Sequence, residues 1–155
     1  AGRRGRQGVG SCAVIPVRAL DRTRGTMQRD STVTLRRALY LEVVQIIEAE
    51  YPDDLVLDEI ARRVASSRRQ LQRAFAEVGH TSFRDYLTAY RMDRAAEMLA
   101  ASSLHVRDVA AAVGYRQAAQ FAKAFRRRHG CSPSEYRART MASSGLAQAP
   151  LARAA

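Results

Sequence analysis

The sequence has no tryptophan, only four prolines among its 155 residues, and few aromatic residues of any kind. It also lacks runs of alternating β-branched residues, the pattern that half-buried strands require. Alanine, the strongest helix former, is abundant instead. These absences favour an all-α protein, and the 46% of hydrophobic residues are enough to build a core.

Cysteines and long apolar runs are scarce as well. Cys12 and Cys131 form no CxxC or other zinc-ligand spacing, so we expect free thiols in a reducing cytoplasm. No apolar run approaches the roughly 18 residues that span a membrane. The N-terminal apolar segment is short and interrupted by Pro16, unlike a secretory signal. We therefore expect a cytoplasmic, nucleoid-associated protein without membrane contact.

Positive charge is what the sequence has in excess. Lysine and arginine outnumber aspartate and glutamate by 26 to 15, and all of these cations except Lys123 are arginines. Such a balance favours a polyanionic partner, and arginine suits bidentate contact with phosphate or guanine. A genome rich in arginine codons would produce the same excess, so composition alone does not establish nucleic-acid binding.

The stretch from Leu57 to Gly79 predicts two short helices separated by a tight turn. Apolar residues in its first half follow the spacing i, i+3, i+4, i+7: Leu57, Ile60, Ala61 and Val64. Ser67 can cap a second helix, which turns Leu71 and Phe75 inward and exposes Arg68, Arg69, Gln72 and Arg73. This is the layout of a helix-turn-helix, although a helical hairpin with a solvated basic face would give the same pattern.

The same pattern recurs between Val106 and Gly130. The four apolar positions of the first helix return at an offset of 49, as Val106, Val109, Ala110 and Val113. Beyond the turn, Leu71, Arg73 and Phe75 correspond to Phe121, Lys123 and Phe125 at an offset of 50. The closing glycines, Gly79 and Gly130, are aligned at an offset of 51. Two ordered copies make an internal repeat of a helix-turn-helix more probable than a chance hairpin.

Three further helices and two tails complete the predicted organisation. A helix capped by Ser31 or Thr32 should run to Glu50, with a buried stripe of Leu35, Leu39, Val43, Ile46 and Ile47. A connector from about Ser82 to Ala101 should bury Phe83, Tyr86, Leu87, Tyr90, Ala95, Met98 and Leu99. The second repeat begins near His105, and a short last helix covers residues 134–137. We expect a flexible basic tail over residues 1–30, a DNA-binding domain over 31–139 and a disordered tail over 140–155.

The chain resembles the DNA-binding domain of the AraC/XylS transcription regulators over roughly residues 33–139. The segments that carry the resemblance are LDEIARRVASSRRQLQRAF, GHTSFRDYLTAYRMDRAAEMLA, VRDVAAAVGYRQAAQFAKAFRRRHG and GCSPSEYR. The resemblance implies seven helices with two helix-turn-helices joined by a long helix, in a homeodomain-like arrangement. It also implies a regulator that reads successive major grooves of double-stranded DNA and recruits RNA polymerase. The chain has no room for a separate sensing domain, so it is similar to the single-domain MarA/SoxS type or to a fragment of a longer regulator.

The resemblance also assigns candidate contact residues. In the first reading helix the base contacts fall on Arg68, Arg69, Gln72 and Arg73, and in the second on Gln117, Ala118, Ala119, Gln120 and Lys123. Alanines offer thymine only an apolar contact, so we expect the second helix to read DNA more weakly and to act more through phosphates. Expected phosphate contacts are Ser67, Arg116, Arg126 and Arg127, with Arg128 nearby.

The sequence shows no pattern typical of a metal site, a cofactor site or a catalytic site. His80, His105 and His129 share no helix face, and no nucleophile–base pair or glycine-rich phosphate loop appears, so we expect no metal, cofactor or enzymatic activity. We expect a monomer, unless an N-terminal domain is missing, that acts as an activator. The alternative is a basic helical module that binds nucleic acid or protein without sequence specificity.

Overall fold

Seven α-helices and no strand make up the part of the chain that the structure, a computed structural model, describes. It describes the backbone over residues 17–146 and the side chains over 32–142. The predicted all-α fold of about seven helices is confirmed. The helices are α1 (Val17–Glu50), α2 (Leu57–Arg63), α3 (Arg68–Glu77), α4 (Phe83–Ala101), α5 (Val106–Ala112), α6 (Ala118–His129) and α7 (Pro133–Leu146).

Both terminal helices are longer than the sequence pattern predicted. Helix α1 begins at Val17 instead of Ser31, because residues 17–30 contain no proline and more than half of them are good helix formers such as arginine, alanine and leucine. Helix α7 continues past Arg137 to Leu146. The rest of the two predicted tails, residues 1–16 and 147–155, lies outside the described residues. The chain divides at Leu35 into two compact units, and the unit that begins at Arg36 contains both hydrophobic cores.

The first core lies between α1, α2, α3 and the beginning of α4. Phe75 is fully buried in it and meets the ring of Tyr40 edge-on at 5.0 Å between centroids. Helix α1 contributes Leu39, Val43 and Ile47, whereas Leu35 is 54% exposed. The prediction that Leu35 belongs to the buried stripe is therefore wrong, because this core begins one helical turn later.

The second core lies between the end of α4 and helices α5, α6 and α7. Phe121 and Phe125 are fully buried at its centre. The ring of Tyr136 on α7 meets Phe125 edge-on at 5.5 Å, and the His129 ring lies 4.5 Å from Phe125. The two copies of the sequence repeat therefore build two separate cores, one for each helix-turn-helix. We call them the first lobe and the second lobe.

Helix α4 belongs to both lobes because it buries two different faces. Phe83 and Leu87 enter the first core, whereas Met92, Ala95, Ala96 and Leu99 enter the second. At about 100° per residue, these two groups project to nearly opposite sides of the helix. The predicted single apolar side is therefore wrong: it omitted Met92 and Ala96, and it included Tyr86, Tyr90 and Met98, which are only partly buried.

The tight turn of each helix-turn-helix requires a residue in the left-handed region. The first turn uses Ala65 with a φ of 47°, and the second uses Gly114 with a φ of 84°. The two residues stand 49 positions apart, the offset of the preceding helices. A Cβ on Gly114 would also lie 2.4 Å from the carbonyl oxygen of Pro52, so this position accepts only glycine.

The ends of α3 and α6 correct the alignment of the two glycines. The left-handed residue that follows α6 is Gly130 with a φ of 76°, but the one that follows α3 is His80 with a φ of 49°. His80 and Gly130 stand 50 positions apart, so a left-handed residue follows Phe75 and Phe125 at the same distance, although α6 is two residues longer than α3. Position 79 requires glycine for a different reason: a Cβ there would lie 2.6 Å from the ring of Tyr40.

The left-handed alanine gives a stability prediction. Because the left-handed conformation costs a non-glycine residue roughly 1–2 kcal/mol, Ala65→Gly should raise the free energy of unfolding by about 0.5–1 kcal/mol. The same exchange at Ala76, which is exposed within α3, should lower it by a similar amount. Urea unfolding of both variants measures these changes. A loss of stability in Ala65→Gly would contradict the assigned turn geometry.

A second prediction concerns the capping of α7 and pH. The backbone N–H of Ser132 and then its hydroxyl donate to the Glu135 carboxylate at 2.7 and 2.8 Å, and these bonds lower the pKa of Glu135. A lowered folded-state pKa stabilises the fold above the unfolded pKa of about 4.3, and this stabilisation is lost as the pH falls through the folded value. Glu135→Gln should therefore lose less stability than the wild type between about pH 6 and about pH 3.

The matched control for this pH prediction is Glu42→Gln. Glu42 is exposed and accepts no hydrogen bond from the described residues. Its replacement should leave the pH dependence of the free energy of unfolding close to that of the wild type. Equal effects of the two substitutions would contradict the role of the Ser132 donors.

Candidate nucleic-acid interface

Helix α3 presents a basic outer face because its opposite face is anchored in the first core. Leu71, Ala74 and Phe75 are buried, and the residues one and two positions away point outward. Arg69, Gln72 and Arg73 are exposed there, as predicted from their spacing. Arg69 and Arg73 make no ion pair with the described residues, so their guanidinium groups are available to a partner.

The beginning of α3 is fixed by a reciprocal cap. The Ser67 hydroxyl accepts the backbone N–H of Gln70 at 3.3 Å, and the Gln70 side chain accepts the backbone N–H of Ser67 at 3.3 Å. This capping box satisfies two N–H groups that a helix start leaves unpaired. Ser67 therefore has a structural role in the turn, and its contact with phosphate stays a prediction.

Arg68 is the one predicted residue of α3 that the protein engages itself. Its guanidinium group lies 2.8 Å from Asp58 on α2, and both side chains remain more than half exposed. An exposed pair of this kind contributes little to stability. Arg68 can therefore exchange Asp58 for a stronger anion at little cost to the fold.

Helix α6 has a less polar outer face than α3. Phe121 and Phe125 are buried, and the exposed residues include Gln117, Ala118, Ala119, Gln120 and Lys123. At the structural offset of 50, Ala118, Ala119 and Ala122 stand where α3 has Arg68, Arg69 and Gln72. The side chain of Gln117 precedes the helix and makes no capping bond. Gln117, Gln120 and Lys123 can offer a hydrogen bond from the first part of this face, and Arg126 and Arg127 are exposed further along the helix.

The two outer faces border one cleft of about 1040 Å³ between the lobes. Arg68 and Gln72 line it from α3, and Arg116, Gln117 and Gln120 line it from the start of α6. Five predicted residues from two distant segments are thus brought together on one side of the molecule. Arg69, Arg73, Ala118, Ala119 and Lys123 do not line the cleft but occupy the same two helices.

The floor of the cleft includes polar residues of α4 that the sequence analysis missed. Arg84, Thr88 and Arg91 all line it. Their spacing, i, i+4, i+7, places them on one stripe of the helix, between the two faces that enter the cores. That polar spacing is present in the sequence, but the predicted packing of the connector rests on its apolar residues alone. Of these three residues, Arg84 is the exposed one.

A second basic cluster lies at the far end of α6. Lys123, Arg126 and Arg127 line a shallow depression of about 450 Å³ together with Ala122 and Ser132. Arg128, which was expected nearby as a phosphate contact, differs: it donates to both oxygens of Asp93 on α4 at 3.0 and 2.8 Å. This bidentate pair raises the pKa of Arg128. Arg128 thus links α6 to α4, and its contact with an external phosphate stays a prediction.

Neither reading helix is held by its core alone. Arg36 of α1 pairs with Glu77 at the end of α3, and Arg63 of α2 pairs in bidentate fashion with Glu50 of α1 at 2.6 Å. Hydrogen bonding from Arg63 lowers the pKa of Glu50. Arg36–Glu77 and Arg128–Asp93 thus each link a reading helix to a neighbouring helix, while Arg63–Glu50 links α2 to α1.

Two negative observations apply to the residues that the structure describes. No group of three or more histidine, cysteine, aspartate or glutamate side chains gathers there as a possible metal site. None of the described helices is both long enough and apolar enough to cross a bilayer. Cys131, the described cysteine, is buried and forms no disulfide.

Comparison with protein families matches the region that contains these features. A family profile described as "Helix-turn-helix domain" matches residues 60–139. The chain is 33% identical over 95 residues to a Bacillus subtilis protein named as the uncharacterized HTH-type transcriptional regulator YtdP. The matched region makes up 61% of this chain and 12% of that protein. The chain spans less than half of the length of such curated relatives.

Solved structures share the same helical arrangement. An AraC-type transcriptional regulator from Chromobacterium violaceum matches with a TM-score of 0.64 and 30% identity, covering 66% of this chain and 92% of that one. The DNA-binding domain of the global transcriptional factor AdpA, solved in complex with a target DNA, matches with a TM-score of 0.63 and 28% identity, covering 69% and 96%.

Proposed function

The chain belongs to the AraC-type family of helix-turn-helix, DNA-binding transcriptional regulators, and from this premise we propose how it binds DNA. It binds double-stranded DNA in a sequence-specific manner, with α3 and α6 in two successive segments of the major groove. The single observation that carries the proposal is that both helices border one cleft, so their outer faces can meet the same side of a duplex.

The length of α4 is compatible with this arrangement. Its 19 residues span roughly 28 Å. Two major-groove segments on one side of a duplex are separated by one helical turn, roughly 34 Å. A rod of this length with one lobe on each side brings two reading helices to about that separation. A bound site would then cover roughly 20 base pairs.

Helix α3 supplies most of the base recognition. Arginine can donate two hydrogen bonds to O6 and N7 of guanine, and glutamine can pair with N6 and N7 of adenine. Arg69, Gln72 and Arg73 are exposed with free donors for such contacts, and Arg68 can exchange its exposed partner Asp58. Each good bidentate contact contributes about 1–3 kcal/mol of discrimination between bases.

Helix α6 contributes more to affinity than to base recognition. Three alanines stand where α3 has long polar side chains. Any base recognition by α6 therefore comes from Gln117, Gln120 and Lys123. Arg116 at the cleft, and Arg126 and Arg127 at the far end of the helix, lie on both sides of this face. They hold the phosphate backbone, and Arg84 of α4 adds a phosphate contact between the two grooves.

Activation of transcription through contact with RNA polymerase is the regulatory outcome that we propose, supported by the family alone. The competing function is a basic helical module that binds nucleic acid or protein without sequence preference. The two functions are separated by selecting bound duplexes from a random pool and then letting the selected duplex compete with random duplex at physiological salt. Enrichment of one sequence supports the specific regulator, and equal competition by random duplex supports the module.

Arg73 provides a test of base reading by α3. Arg73→Ala should relax the preference at one or two base positions of the selected site, because a bidentate contact discriminates by about 1–3 kcal/mol. The matched control is Arg37→Ala, since Arg37 is also exposed and unpaired among the described residues but lies on α1. Repeating the selection with each variant measures the preference. Uniform weakening on all sequences would contradict a base contact by Arg73.

Arg127 provides a test of the phosphate role of α6. Arg127→Ala should lower affinity for selected and random duplex by similar factors. It should also reduce the slope of log affinity against log salt by about 0.9, the value for one released counterion. Titrations at several salt concentrations measure the slope. A change in base preference with an unchanged slope would place Arg127 at a base edge instead.

A further inference from the structure

The two lobes are joined by a second connection besides α4. At the floor of the cleft, the segment between α1 and α2 in the first lobe meets the turn between α5 and α6 in the second. Pro52 and Asp53 belong to the first segment, and Gly114 and Tyr115 to the second. Tyr51 packs against both hydrophobic cores.

Arg91 of α4 holds this junction with one side chain. Its Nε donates to the carbonyl oxygen of Tyr51 at 2.7 Å, and its Nη2 donates to the carbonyl oxygen of Asp53, also at 2.7 Å. The same guanidinium group lies over the ring of Tyr115, with its central carbon 5.9 Å from the ring centroid. Burial lowers the pKa of Arg91, but a guanidinium group remains charged in proteins. Its two hydrogen bonds are therefore charge-assisted. The guanidinium group contacts the Tyr51–Asp53 segment on one side and Tyr115 of the second lobe on the other.

The backbones of the two lobes also touch directly. A Cβ on Gly114 would lie 2.4 Å from the carbonyl oxygen of Pro52 and 3.0 Å from its carbonyl carbon. This approach leaves no space for a side chain, so the two lobes cannot move closer at this point. Arg91 opposes the reverse motion, because separating the lobes would break its contact with Tyr115 or with the Tyr51 and Asp53 carbonyls.

We infer that the junction of Arg91, Gly114 and Tyr115 with the Tyr51–Asp53 segment fixes the separation and rotation of α3 relative to α6, and thereby the spacing between two DNA segments that the protein accepts. This inference rests on the proposed function. A change of one base pair between the segments moves one of them by about 3.4 Å along the duplex and rotates it by roughly 35° about the axis. A rigid junction rejects such a change, whereas lobes joined by α4 alone can twist or bend to follow it.

The test compares binding to duplexes in which the two segments of the selected site are moved closer together or further apart. The variants are Arg91→Ala, Arg91→Lys and Tyr115→Leu, with Arg37→Ala as control. Wild type and control should lose about tenfold in affinity for each base pair of altered spacing, since one register error costs about as much as a mismatched base pair. Arg91→Ala should bind the duplex of original spacing more weakly than the wild type does, because less of the bound arrangement is formed in advance. Its affinity should then fall by less than about threefold for each base pair of altered spacing. Arg91→Lys, which can still donate to a carbonyl, should fall between the wild type and Arg91→Ala.

Tyr115→Leu keeps an apolar side chain and both carbonyl contacts of Arg91, so it remains informative if Arg91→Ala fails to fold. It should also flatten the dependence on spacing. Folding is checked by thermal unfolding. If the folded variants show the wild-type dependence on spacing at every length, the inference is overturned while the proposed function stands. If the wild type selects no sequence, the proposed function fails and this inference fails with it.

Discussion

The burial of α4 on two nearly opposite sides is the constraint on which the rest of the structure depends. Phe83 and Leu87 complete one core, and Met92, Ala95 and Leu99 complete the other. Each helix-turn-helix contributes only two short helices to its core, so α4 completes both cores, together with α1 in the first lobe and α7 in the second. The stripe between the two buried faces is left polar and becomes the floor of the cleft. The geometry that stabilises the fold is thus the geometry that places both reading helices beside one cleft.

The two repeats have kept the same backbone but different outer surfaces. Both turns place a residue in the left-handed region 49 positions apart, and a second such residue follows each reading helix, again at matching positions 50 residues apart. Within this common frame, α3 carries arginine and glutamine where α6 carries alanine. The cores constrain Phe75 and Phe125, whereas nothing in the fold requires the exposed positions to agree. Differences between the two copies therefore report on what each helix contacts, and they favour unequal roles on DNA.

The sequence predicted what periodicity can encode and missed what depends on contacts between distant residues. The i, i+3, i+4, i+7 pattern located α2 and α5, and the repeat located both reading helices. It missed Met92 because a search for one apolar side cannot find a helix that is buried on two. It also missed the role of Arg128, since Asp93 lies 35 residues away and no local pattern joins them. It also missed the left-handed conformation of His80, because the neighbouring Gly79 is the residue type expected at the end of a helix. Gly79 is instead required by the close approach of the Tyr40 ring.

The distribution of cations decides a question that composition left open. An arginine excess from codon usage alone would place unpaired arginines anywhere on the surface. Among the described residues, eight cations make no hydrogen bond or ion pair with the protein: Arg37, Arg69, Arg73, Arg84, Arg116, Lys123, Arg126 and Arg127. All of these except Arg37 lie on α3, on α6, in the turn before α6 or in the cleft. Other arginines, such as Arg36, Arg63 and Arg128, are paired with carboxylates between helices. Among the described residues, the arginines therefore include a set paired with carboxylates between helices and an unpaired set concentrated on the reading helices and the cleft, and a codon bias does not explain that division.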